Sequence, residues 1–227
     1  MWHRRIALAL ALLAPVLLAA SGLGVRAGLW PYRIGFGMFA AALIAGLAAA
    51  GMAAVALAVP RLRAGALPVL LCSLLCGLAA AAVPLDHIRR VKSLPYINDI
   101  STDTETPPAF ARALPYPRHF AELQQIGYPQ LLPLELAEPP ARAFALARAA
   151  AERLGWEIVS ADESAGRIEA VATTRWFGFK DDIAVRVGAT AGGSRIDVRS
   201  RSRVGRSDLG ANARRIQAFL IAVREQA

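Results

Sequence analysis

Three apolar stretches in the first 85 residues constrain this chain more than any other feature. They run roughly from Ile6 to Val25, Ile34 to Val59 and Ala64 to Val83, with charges only at their edges. About 20 residues rising about 1.5 Å each span about 30 Å, the hydrocarbon thickness of a bilayer. Backbone groups in lipid must be paired within the segment, so each stretch is expected to be a transmembrane α-helix. In the second stretch Ala42, Gly46 and Ala50 recur every fourth residue, a small-residue stripe that lets helix backbones approach closely. No charge lies in mid-membrane, so the usual mark of an ion or proton path is missing. An Ala-rich anchor is the expected role. The first stretch has a second reading as a cleaved signal peptide, with "MWHRR" as its basic start and a small-residue cleavage site after Ser21. Its apolar run continues without a polar break, which favours a membrane helix.

Charge is divided along the chain in the same way. All 17 acidic residues lie after position 85, and the six arginines before it leave that part at +6 and the remainder at +3. A sequence pI near 10.7 therefore describes two different solvents rather than a nucleic-acid-binding domain. Arg4, Arg5, Arg61 and Arg63 fall on one side of the membrane; Arg26, Arg33, Arg89, Arg90 and Lys92 fall on the other. The count is nearly balanced, but the first helix usually dominates, and "MWHRR" favours a cytoplasmic N-terminus. Three crossings then place the C-terminal domain outside, in the periplasm if the membrane is a bacterial inner membrane. Cys72 and Cys76, the only cysteines, lie within the third apolar stretch. They read as small polarizable packing residues, and no disulfide framework supports the domain.

Residues 1–84 are thus expected to be a three-helix anchor, 85–140 a wrapping segment and 141–227 an α+β domain. The middle segment is rich in proline and holds no lasting period. Yet Tyr96, Ile97, Phe110, Tyr116, Phe120 and Tyr128 make it too apolar for a free tether. After Pro140, "ARAFALARAAAERL" places Phe144, Ala147, Ala151 and Leu154 on one helical face, with Gly155 as the cap. "WEIVSAD", "RIEAVATTRWF", "DIAVRVGAT" and "SRIDVRSRSRV" are strands joined by short turns, two of them at Gly178 and Gly205. A last helix from about Leu209 to Glu225 aligns Ile216, Phe219, Leu220 and Val223. The order α-β-β-β-β-α predicts a four-stranded antiparallel sheet with two helices on one face. About 140 residues from Leu85 are enough for an independent core.

Three strings carry a family resemblance: "INDISTDTETPPAF", "GRIEAVATTRWFGFKDDIAVRV" and "SRIDVRSRSRVGRSDLGANARRIQAFL". Over roughly Pro95 to Leu220 the chain resembles the bacterial Domain of Unknown Function 1499 family, which also has plastid relatives. Three membrane helices before the domain fit an arrangement common in that family. The resemblance implies domain boundaries and no settled activity.

The inventory for catalysis is sparse. His87 and His119 are the only histidines beyond the apolar stretches, both in the Pro-rich segment, and no cysteine nucleophile is available there. Asp181 and Asp182 are neighbours on a strand, so they point to opposite faces and pair with arginines rather than act as one acid/base couple. Asp99, Asp103 and Glu105 alternate as in a hard-cation loop. They lack its glycine turn and distal bidentate glutamate, and a hydrogen-bonded turn is expected instead. "GATAGGS" is a hairpin turn, not a phosphate loop. "WFGF" at Trp176–Phe179 is either core packing across a turn or an aromatic tip at a membrane surface. No catalytic, metal or cofactor residue is assigned.

One stretch points to binding. Strand alternation puts Arg195, Asp197, Arg199, Arg201 and Arg203 on one face, with Arg186 and Asp182 beside them. The apolar side must meet the helices, so this row is expected to face solvent, largely as a cross-strand charge lattice. The turn after it offers more. Ser207 or Asp208 caps the last helix, Asn212 and Arg215 fall in its first turns, and free N–H groups at a helix start attract anions. The candidate anion or partner site comprises Arg186, Arg199, Arg201, Arg203, Arg206, Ser207, Asp208, Asn212 and Arg215. The expected function is a membrane-anchored binding or accessory protein of the cell envelope, engaging an anionic lipid headgroup or an acidic envelope protein. The alternative is a hydrolase-like enzyme of unspecified substrate. Nucleic acid is disfavoured because no aromatics interleave the arginines.

Overall fold

The computed structural model describes residues 2–227, which form two compact units: residues 2–92 with 175–178, and residues 93–174 with 179–227.

The first unit is built on three helices long and apolar enough to cross a membrane: α1 (Trp2–Arg26), α2 (Tyr32–Ala58) and α4 (Leu67–Ser93). A short helix, α3 (Pro60–Arg63), lies between the last two. The small-residue stripe works as expected. Ala42, Ala49 and Ala50 of α2 are buried. A Cβ built on Gly46 would stand 2.7 Å from the carbonyl oxygen of Gly77 on α4, so these helices cross backbone to backbone. Arg4 donates to the carbonyls of Leu62 and Ala64, tying the start of α1 to the α3 turn. Residues Arg175–Gly178, which include Trp176 and Phe177 of the aromatic turn, group with this unit rather than with the core of the sheet they connect.

The second unit is an α+β domain. Its elements are β1 (Asp99–Ser101), α5 (Arg118–Gly127), β2 (Leu134–Leu136), α6 (Pro140–Arg153), β3 (Glu157–Asp162), β4 (Arg167–Thr173), β5 (Lys180–Thr190), β6 (Gly193–Ser202) and α7 (Ala211–Arg224). The sheet is antiparallel with six strands rather than the expected four. The order is β1-β6-β5-β4-β3, and β2 shares the β6 edge with β1: Ile100 lies opposite Ser200, and Leu134 opposite Ile196. The two added strands come from the Pro-rich segment. Each is three residues long, too short to show a period of two. They form because β6 offers an unpaired edge whose N–H and C=O groups need partners.

The core lies between one sheet face and the helices α6 and α7. Ile168, Ile183, Val185, Ile196 and Val198 meet Phe144, Ala147, Ile216, Phe219 and Val223, all nearly fully buried. Trp156 stacks on Phe219 at 5.0 Å. Leu154, expected on the buried face of α6, ends the helix half-exposed. Gly178 and Gly205 both adopt positive φ, +69° and +91°, as their turns require.

Candidate functional site

The sheet face opposite α6 and α7 carries the arginine row, and the expectation that this row faces solvent fails at its centre. Residues 102–116 form a strap across that face. Arg199 and Asp197 are almost completely buried beneath it. Arg199 makes a two-pronged pair with Asp99, Nε to Oδ1 at 2.9 Å and Nη2 to Oδ2 at 2.8 Å, and donates to the carbonyls of Pro108 and Leu114. Its guanidinium lies 4.9 Å from the Phe110 ring centre and 5.5 Å from that of Tyr116. Burial raises the pKa of Tyr116 well above its usual value, with the Asp99 charge adding to the rise. The strap covers the row because its aromatics and carbonyls together solvate one buried cation.

A second knot fixes the start of the strap. Arg186 donates to Asp103, Asp197 and the Thr106 carbonyl at 2.9 Å each, and Arg195 contacts the same two carboxylates. Asp103 also accepts from the Glu105 and Thr106 amides and the Thr106 hydroxyl. This is the hydrogen-bonded turn expected of "INDISTDTE". Burial works against the charged form of Asp103, but hydrogen bonds from Thr106, Arg186 and Glu105 outweigh it and hold the carboxyl below its usual range. Among the described residues no three His, Cys, Asp or Glu side chains gather as a metal site would need.

The helix-start site is also corrected. The α7 cap is Gly210 in the left-handed region, and Asp208 reaches in from two residues earlier to accept the amides of Gly210 and Asn212 at 2.8 Å each. The amides that would have drawn an anion already hold a carboxylate. Burial pushes Asp208 above the usual range despite those two bonds. Ser207 accepts only a long 3.4 Å bond from Leu209, and Arg206 is exposed. Asn212 and Arg215 point to the helix-covered side of the sheet. Asn212 is fully buried and bonds Ser200, Ser202 and the Asn98 carbonyl; Arg215 donates to Ser200, to Asn212 and, at 2.6 Å, to Asp181. Asp181 and Asp182 do face opposite ways, as read from the strand: Asp182 pairs with Arg203 at 2.6 Å on the strap side. The nine predicted residues thus divide between two faces and the turn before α7, where Arg206 is exposed and Ser207 and Asp208 are partly buried.

What remains open is a cleft of about 540 Å³ between the strap and the sheet. Phe110, Arg112 and Leu114 of the strap form one wall; Val159, Val171 and Arg201 contribute from the sheet. Glu169 lines it too and accepts the Ala111 amide at 2.6 Å, pinning the strap. Arg201 is the exception in its row. Asp99, its nearest carboxylate, is committed to Arg199 and stays 3.8 Å away. Arg201 is about one-third exposed, and its Nη1 is buried with no hydrogen-bond partner. Leaving a buried donor unpaired costs about 1–3 kcal/mol. Arg112, exposed at the rim, forms no ion pair among the described residues. Arg112 was missed from sequence because it lies in the strap, 89 positions before Arg201. His119 sits outside the cleft, exposed on α5 and edge-on to Phe120 at 4.7 Å.

A family described as "Protein of unknown function (DUF1499)" matches residues 99–223, which spans β1 through almost all of α7. No curated protein and no solved structure matches the chain.

Proposed function

Since the chain belongs to the DUF1499 family, whose function is unknown, we propose its role from the cleft: a membrane-anchored binding protein of the cell envelope that takes an anionic ligand. The anchor crosses a bacterial inner membrane, and the domain, separable from it as a folding unit, lies on the periplasmic side. One observation carries the reading. Arg199, Arg203, Arg186, Arg195 and Arg215 each have a carboxylate within 3.1 Å, whereas at the cleft Arg201 has its nearest at 3.8 Å and Arg112 forms no ion pair among the described residues. An underpaired guanidinium beside a buried face is a site awaiting an acceptor.

The test has two arms. A C-terminal alkaline phosphatase fusion is expected to be active and a C-terminal green fluorescent fusion dark; the reverse would place the domain in the cytoplasm. The full chain, purified from membranes, is expected to retain an anionic lipid or an acidic protein, identified by mass spectrometry. An R112Q/R201Q double variant that folds is expected to lose it. Unchanged retention would remove the cleft as the binding site.

A further inference from the structure

We infer that the cleft selects a single-chain amphiphile with a monoanionic head, the head held between Arg112 and Arg201 and the chain laid against Phe110, Leu114, Val159 and Val171. This rests on the reading of the cleft as an anion site and adds the ligand class. Charge sets the head. Arg112, Arg201 and Arg203 face Glu169 and Asp182 around the cleft, leaving one net positive charge. A carboxylate or sulfate-like head neutralises it, while a multiply charged head meets Glu169 and Asp182. Hydrogen bonding sets where the head lies: Arg201 lines the cleft about one-third exposed and 3.8 Å from its nearest carboxylate, so its accessible guanidinium donors are free for an acceptor there.

Shape sets the chain. Ligand sites of about 300–1,000 Å³ are walled mainly by apolar groups, with a few placed polar ones. The cleft falls in that size range, but charged and polar side chains make up half of its lining, so its open apolar part is a strip, with Leu114 on the strap side and Val159 on the sheet side. Val159 is 63% exposed at the β3 bulge, where the register shifts between Ile158 and Ser160. A branched apolar side chain left open on the cleft side of an otherwise charged face is apolar area that a chain would cover.

The experiment uses the full chain in nanodiscs of zwitterionic lipid, with empty discs subtracted, and calorimetric titration below micelle-forming concentrations. The probes are octanoate, octyl sulfate, acetate, inorganic sulfate and neutral octyl glucoside. Octanoate or octyl sulfate is expected to bind at least 10-fold more tightly than acetate, sulfate and octyl glucoside. R201Q is expected to weaken that binding at least 10-fold, and so is V159D, an exposed edge change that spares the core. Circular dichroism confirms folding; if R201Q does not fold, R112Q at the exposed rim takes its place. Sulfate or acetate binding as tightly as the alkyl anions would overturn the amphiphile and leave the anion site standing. Octyl glucoside binding equally would overturn the anionic head. Absence of alkyl-anion binding, with retention in native membranes still lost in R112Q/R201Q, would overturn this inference alone and leave the ligand as the lipid or protein that mass spectrometry identifies.

Discussion

Arg199 and Asp99, one hundred residues apart in the chain, meet as a two-pronged ion pair with 3% and 1% of their side chains exposed. The pair joins β6 to β1 and sits beneath the strap that roofs the candidate cleft. Removing either partner strands a buried charge.

Arg199→Met and Asp99→Asn are therefore expected to destabilise the domain by about 3–5 kcal/mol each. Arg203→Gln, four residues along the same row, breaks a half-exposed pair and is expected to cost about 1 kcal/mol or less. Thermal unfolding of the full chain followed by circular dichroism separates the two cases. Equal, small losses for all three variants would mean that Arg199 faces solvent.

Acid should act on two aspartates in opposite senses. Burial raises the pKa of Asp181 despite its bond to Arg215, so the folded state holds that proton more tightly than the unfolded chain. Its contribution to stability is present below the unfolded pKa of about 3.9 and is lost as pH rises through the folded value. Asp103, held low by its hydrogen bonds, contributes above that pKa and loses its contribution as pH falls. Urea unfolding midpoints from pH 3 to 7 are expected to show the wild type gaining on Asp181→Asn toward acid and on Asp103→Asn toward neutrality. Parallel curves for both variants would contradict the assigned environments.

In the anchor, Gly46→Val should disturb the helix crossing, because its Cβ has only 2.7 Å to the Gly77 carbonyl. Overpacking of this kind costs about 1–3 kcal/mol. Gly51→Val, with nothing within 4 Å of its Cβ position, is the matched control. Thermal aggregation in a mild detergent is expected at a lower temperature for Gly46→Val and at an unchanged one for Gly51→Val. The same shift in both would trace to the added valine itself rather than the crossing.

Elements with a long regular period were legible from sequence. The three apolar helices, the four long strands and the two core helices follow from hydrophobic patterning, and the stripe at Ala42, Gly46 and Ala50 marks a real crossing. The strap was visible only as apolar residues in an aperiodic stretch. Its role depends on Asp99, Phe110 and Tyr116 meeting Arg199 across the fold, and no local spacing encodes such a meeting. The same gap separates Arg112 from Arg201. Alternation correctly put Arg199 on the face away from the helices, but not what lies over that face. At the α7 start, proximity of Asp208 was legible; that it fills the amides itself depends on Leu209 and Gly210 both taking positive φ.

The pairing of β1 and β2 with β6 alone also dictates the order in which this domain is finished. Both short strands are among the first parts of the domain to leave the ribosome, and the edge they need is among the last. Closing a loop of about a hundred residues is slow relative to local helix and hairpin formation. The hairpins β3–β4 and β4–β5 complete themselves as they emerge, while residues 93–140 wait with Ile97, Ile100 and Leu134 unburied. During synthesis the molecule is thus most prone to aggregation at its proline-rich segment, and a chain truncated before β6 would leave that segment permanently exposed.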